Sequence, residues 1–141
     1  MKSKTKTVTI SPVERAVIAQ KWRNTAVNAR IHTLIGNDSK ELVRLSARMF
    51  FVAAGAVKLA DVPRDDVDVR ILRGAVNAMA EQAGNEAIPE GRRRAIDIGL
   101  QAVGRIVDRV GHEIVTLAAC VLELKLRDGH IKHIDFLEAL A

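Results

Sequence analysis

The chain has 141 residues, 48% of them hydrophobic, with 22 basic and 17 acidic side chains and a formal charge of +5. That is enough for one domain with a core of its own and too apolar for a disordered chain. Three phenylalanines, one tryptophan and no tyrosine make the core aliphatic and leave no stacking platform for single-stranded nucleic acid.

The opening "MKSKTKTVTI" is a basic polar arm over residues 1–10. It lacks the apolar centre of a secretory leader, so the expectation is a cytoplasmic protein. The first helix, near 12–35, starts at "ISPVERAV": Ser11 is the N-cap, Pro12 takes the first helical position, and Glu14 completes a capping box. Val13, Val17, Ile18, Trp22, Val27, Ile31 and Leu34 give it an apolar side. "IGNDSKEL" ends that helix at Gly36 or Asn37 and starts the next from Asp38, over 39–60. The second helix carries two adjoining stripes, Leu42 to Leu59 and Val43 to Val57, so it belongs in the middle of the fold. Its run "MFFVAAGAV" is far shorter than the roughly 20 residues that span a bilayer, and no membrane association is expected.

After Val62-Pro63, a third helix over 65–83 offers Ile71, Leu72, Ala75, Val76 and Met79. After Ile88-Pro89, one long helix is expected from 89 to 127. From Ile96 its apolar positions run through Leu100, Val103, Val107, Val110, Ile114, Leu117, Val121 and Leu124, with spacings that alternate four and three. This is a heptad stripe with a 3.5-residue period. It crosses Gly111 without losing phase, which favours continuity. A short fifth helix is expected near 131–140. The fold class is therefore all-α, a compact antiparallel bundle of about four main helices in a single domain over 1–141. The alternative is an α+β arrangement, because Asp128-Gly129 sits between alternating runs in residues 122–136 and suits a type I′ hairpin.

Enzymatic chemistry finds little to use. There is no nucleophile motif and no glycine loop for phosphate, so neither a catalytic residue nor a cofactor is expected. His130 and His133 have a spacing that zinc can use, but no second paired motif accompanies them, and metal binding is not expected. Asp61, Asp65, Asp66 and Asp68 lack the glycine and terminal glutamate of a calcium loop. As carboxylates at a helix start, they complement its positive end. His112 and Glu113 are neighbours in sequence, so on a helix their side chains diverge. Cys120, the single cysteine, excludes an intrachain disulfide and suits a buried thiol.

The candidate binding residues lie along the long helix. Arg92, Arg93 and Arg94 occupy its first turn, and Arg105 and Arg109 follow beside the stripe. Arginine suits bidentate contact with carboxylate or phosphate. The first half of the stripe, Leu100, Val103, Val107 and Val110, is narrow and flanked by polar residues, as a helix pair requires. The second half is widened by Val115, Ala118 and Leu122, as a bundle core requires. The expectation is that Leu100 to Val110 meet a partner, a second copy included, while Ile114 to Leu124, Leu117 among them, pack inside the chain. Small inhibitors from mobile elements, anti-CRISPR proteins among them, act by binding alone. A protein-binding module of that kind, an inhibitor or adaptor that captures a subunit of a larger, even nucleoprotein, complex, is the leading expectation. A DNA-binding regulator, with "KTKTVTI" as an arm or a β-ribbon ahead of two helices, and a self-assembling structural protein are the alternatives.

Overall fold

The computed structural model describes residues 10–127. They form five helices packed against one another, α1 (Pro12–Ile35), α2 (Ser39–Leu59), α3 (Val67–Gln82), α4 (Glu90–Val110) and α5 (His112–Arg127), with no strand among the described residues. The sequence from residue 128 onward, including the second half of the hairpin alternative and the expected fifth helix over 131–140, lies outside the described residues. Up to Arg127, the segment that would have opened the hairpin is helical. No helix among the described residues is long and apolar enough to cross a membrane.

The helix starts follow from local chemistry. Ser11 Oγ accepts from the Glu14 backbone N–H at 3.1 Å, and the Ser11 N–H donates to Glu14 Oε1 at 3.5 Å, which completes the capping box. Asp38 accepts from the Glu41 N–H at 3.2 Å. Asp66, two residues later than the sequence suggested, caps α3 by accepting from the Asp68 and Val69 N–H groups at 3.0 and 3.3 Å. Each bond satisfies a backbone donor that the first turn of a helix leaves open.

α2 is the central element. It contacts each of the other four helices, and Leu42, Phe50, Val52, Ala54 and Ala56 are sealed from solvent. Both of its apolar stripes are used, as the circumference of apolar residues required. Around it, α3 and α4 run in opposite directions: Asp68, Ala75 and Gln82 on one meet Arg105, Gly99 and Arg92 on the other.

The single helix expected over 89–127 is two helices. Gly111 takes φ +90° and ψ 162°, a conformation that residues with a Cβ scarcely populate. Its N–H still donates to Val107 O at 3.0 Å, and its carbonyl accepts from Val115 N at 3.2 Å, so both helices end on bonds to one residue while their axes part. The apolar spacing keeps its phase across Gly111 in sequence and loses it in space.

A candidate protein-interaction surface

The break decides which half of the stripe is covered. Leu100 and Val103 are 5% and 1% exposed, inside the chain's own core, with Val107 and Val110 half-buried against it. Beyond Gly111 the inward face of α5 is Val115, Ala118, Ala119 and Leu122, while Leu117 and Val121 are 44% and 43% exposed. The expected division fails in its first half, because Leu100 and Val103, assigned to a partner, are core; in the second half Val115, Ala118 and Leu122 are buried as expected, but Leu117 is on the surface. Small residues explain the choice. Ala118 lies against Gly55 of α2, where even a methyl group would be in contact with it, so this face lets the two backbones approach.

The arginines beside the stripe work within the chain. Arg105 Nε donates to Asp68 Oδ1 at 2.8 Å. Arg109 reaches both Asp66 Oδ2, at 3.0 Å, and Asp68 Oδ2, at 3.5 Å. The Arg109 guanidinium holds the Asp66 carboxyl below the usual carboxylate range, and the two capped backbone N–H groups pull the same way. A carboxyl lowered on folding stabilises the fold above the ordinary aspartate range. That contribution disappears as pH falls through its lowered pKa. Arg92 Nη1 donates to Oε1 of the buried Gln82 at 3.2 Å, and Gln82 Nε2 donates to Ser39 Oγ at 2.8 Å and Ala87 O at 2.9 Å. Arg93 Nη1 donates to the carbonyls of Thr33 at 2.8 Å and His32 at 3.3 Å, closing the end of α1. Arg94 is exposed and makes no such bond among the described residues.

The remaining chemistry-bearing groups are not assembled. No group of three or more His, Cys, Asp or Glu side chains able to hold a metal occurs among the described residues, and His130 and His133 lie outside them. His112 and Glu113 are both exposed in the first turn of α5. Cys120 is buried, and that burial pushes its thiol up.

What the fold leaves open lies on α1. The inward face of this helix is Ile18, Trp22, Ala26, Ala29 and Thr33. Val13, Val17, Val27, Ile31, Leu34 and Ile35 are instead 47–78% exposed. The apolar side assigned to the first helix is therefore two faces: Ile18 and Trp22 belong to the core, and the larger aliphatic set points out. The inward face is also tied down by charge, through Lys21 to Glu123 at 3.1 Å and Arg30 to Asp97 at 3.1 Å, so α1 cannot roll to bury the other side without breaking both pairs. Isolated exposed apolar residues are ordinary, but six on one helix, grouped toward its two ends, mark a candidate interaction surface. All of the exposed set but Ile35 are named by the sequence as apolar members of the first helix. Their direction is not, because it depends on α2, α4 and α5.

No family model matches the chain, and neither a curated protein nor a solved structure matches it.

Proposed function

We propose that this chain is a binding protein without enzymatic chemistry, which acts by presenting the outer face of α1 to another protein surface. The observation that carries this reading is the row of aliphatic residues on that face, 47–78% exposed, on a helix whose opposite face is fixed in the core. A preformed helix with an apolar stripe is a common protein-recognition element, since its ordering cost is met by the rest of the fold. A small inhibitor or adaptor that captures a subunit of a larger complex fits this arrangement, as does self-assembly. The regulator reading has less support, because Arg92, Arg93, Arg105 and Arg109 are committed to partners within the chain. We place the protein inside the cell, where a lone buried thiol such as Cys120 stays reduced.

The test is a photo-crosslinking amino acid at position 27, with Asn77 on the exposed side of α3 as the control site. Covalent protein adducts formed in producing cells at position 27 and not at 77 are expected. Equal labelling, or none at either site, would remove the basis for an α1 interface.

A further inference from the structure

The exposed row on α1 has a register. Val13, Val17, Gln20, Asn24, Val27, Ile31 and Leu34 follow one another at spacings of four and three throughout, and all seven are exposed. At about 1.5 Å per residue the stripe runs roughly 32 Å, three heptads. In heptad terms Val17, Asn24 and Ile31 are a positions, and Val13, Gln20, Val27 and Leu34 are d positions. We infer that α1 pairs side by side, parallel and in register, with α1 of a second copy of this chain, in a short coiled coil with Asn24 at its centre. The inference rests on the proposed binding role of this face and names its occupant.

Three features of the chain select a second copy. The first is the polar layer in the middle of the stripe. Gln20 Nε2 donates to Asn24 Oδ1 at 3.1 Å, and Arg23 Nη2 donates to Gln20 Oε1 at 2.8 Å, while Asn24 Nδ2 makes no bond among the described residues. An all-apolar partner helix would bury the Asn24 Nδ2 group without a partner, at a cost that disfavours it. A second copy in register brings Asn24 opposite Asn24, an a-position pairing that fixes both register and a two-stranded state. The second feature is β-branched Val17 and Ile31 at the other a positions, a choice that also suits two strands.

The third feature is charge. Lys21, Arg23 and Arg30 flank the stripe, and Lys21 and Arg30 are already paired within the chain to Glu123 and Asp97. An acidic helix from another protein would compete with those carboxylates. In the parallel arrangement the flanking contacts set Ala16 beside Lys21 of the second copy, Arg23 beside its Asn28, and Arg30 beside its Ile35, so no like charges meet. The antiparallel alternative matches the layers as well, with Val13 on Ile31, Val17 on Val27 and Gln20 on Asn24. It also places Arg23 on Arg23 and Lys21 on Lys21 at the two-fold axis, which is unfavourable. Three heptads are few for peptides that must also form their helices. Here α1 is already held as a helix by its core face.

The test combines mass with cross-linking in the full chain. Light scattering after gel filtration at tens of micromolar should give twice the 15.4 kDa of one chain. Val27→Asp should return the mass to that of one chain with an unchanged helical circular dichroism spectrum, and Val17→Asp should do the same. On oxidation Asn24→Cys should form a disulfide-linked dimer, because facing a positions bring the Cβ atoms within bridging distance, while wild type, with its buried Cys120, should not. A single-chain mass for wild type at 100 micromolar would overturn the pairing. So would a dimer that survives Val27→Asp. A dimer lost with Val27→Asp but not cross-linked through position 24 would overturn the parallel register. If the wild-type chain is a monomer and position 27 still labels a different protein, the second copy is wrong and the binding role of α1 stands. If it labels nothing, both fall.

Discussion

In α4 the residues Leu100, Val103, Val107 and Val110 turn toward the rest of the chain, and the first two are sealed. In α5, in the same phase, Ile114 is half-buried against the core, while Leu117 and Val121 lie toward the outside and are over 40% exposed. The two stripes have the same spacing and similar residues, so hydrophobicity does not choose between their fates. What differs is the neighbour that each helix offers to α2. In α5 the inward side carries Ala118 and Ala119, which let the helix lie close against Gly55. The second half of α1 does likewise, turning in Ala26, Ala29 and Thr33 and leaving out Val27, Ile31 and Leu34, while its first half turns in the larger Ile18 and Trp22. The central helix brings Phe50, Phe51 and Met49 into the core, and α5 meets it through a face that includes Ala118 against Gly55. Close packing at crystal-like density makes that fit worth more than the burial of a few additional methyl groups.

A charge placed in each stripe gives the largest contrast. Val103→Asp would bury a carboxylate with no partner, a cost of several kcal/mol against a total stability of about 5–15 kcal/mol for a domain. We expect it to abolish cooperative thermal unfolding. Leu117→Asp adds its charge to an exposed position and should change stability by no more than about 1 kcal/mol. Circular dichroism melts of the pair decide the matter: if Leu117→Asp unfolds the chain as Val103→Asp does, the division of the two stripes at Gly111 is wrong.

The next contrast comes from two glycines in this region. Gly99 lies where α4 passes α3, and a Cβ there would collide with Ala75 and press on the ring of Phe50. Gly99→Ala should therefore destabilise by about 2–3 kcal/mol, the range for overpacking a tight core, despite the higher helix propensity of alanine. At Gly111 nothing lies within 4 Å of an added Cβ, but φ is +90°. Gly111→Ala should cost about 1–2 kcal/mol from backbone strain, with the helical signal kept. Urea titrations that order the two variants the other way would mean that the bend at Gly111 holds the fold together more tightly than the α3–α4 contact does.

The helix starts were legible because prolines and capping side chains act within three or four residues of themselves. The central place of α2 was legible because it is apolar around most of its girth. The break at Gly111 was hidden, since spacing along a chain is unchanged when one pair of backbone dihedrals redirects its axis. The use of the arginines was hidden for a different reason. Asp66 and Asp68 were identified as helix-start acids, and Arg105 and Arg109 as available cations, but the pairs are separated by 37 to 43 residues and meet only when α3 and α4 lie side by side. The candidate surface was half legible. Val13, Val17, Val27, Ile31 and Leu34 were all identified as apolar members of the first helix, and nothing local to that helix says that Ala29 and Thr33, rather than these, will face α2.

The smallest expected effect tests whether α4 needs its third glycine at all. Gly104 lies inside the same helix as Gly99, but it is exposed, and an added Cβ would meet nothing within 4 Å. It borders an open groove between α1 and α4 that Trp22 and Gln101 also line. With no steric role and no positive φ, what remains is the helix cost of glycine relative to alanine, about 1 kcal/mol in an exposed helix interior. Gly104→Ala should then stabilise the chain by about 0.5–1 kcal/mol, a rise in melting temperature of about 2–3 °C for a domain of this size. The sign matters more than the size, because Gly99→Ala and Gly104→Ala are the same chemical change five residues apart on one helix and should move stability in opposite directions. A loss of stability at Gly104 in the isolated protein would mean that α4 approaches α1 across that groove more closely than its open geometry allows, and that the close approach seen at Gly55 and Gly99 extends to this contact as well.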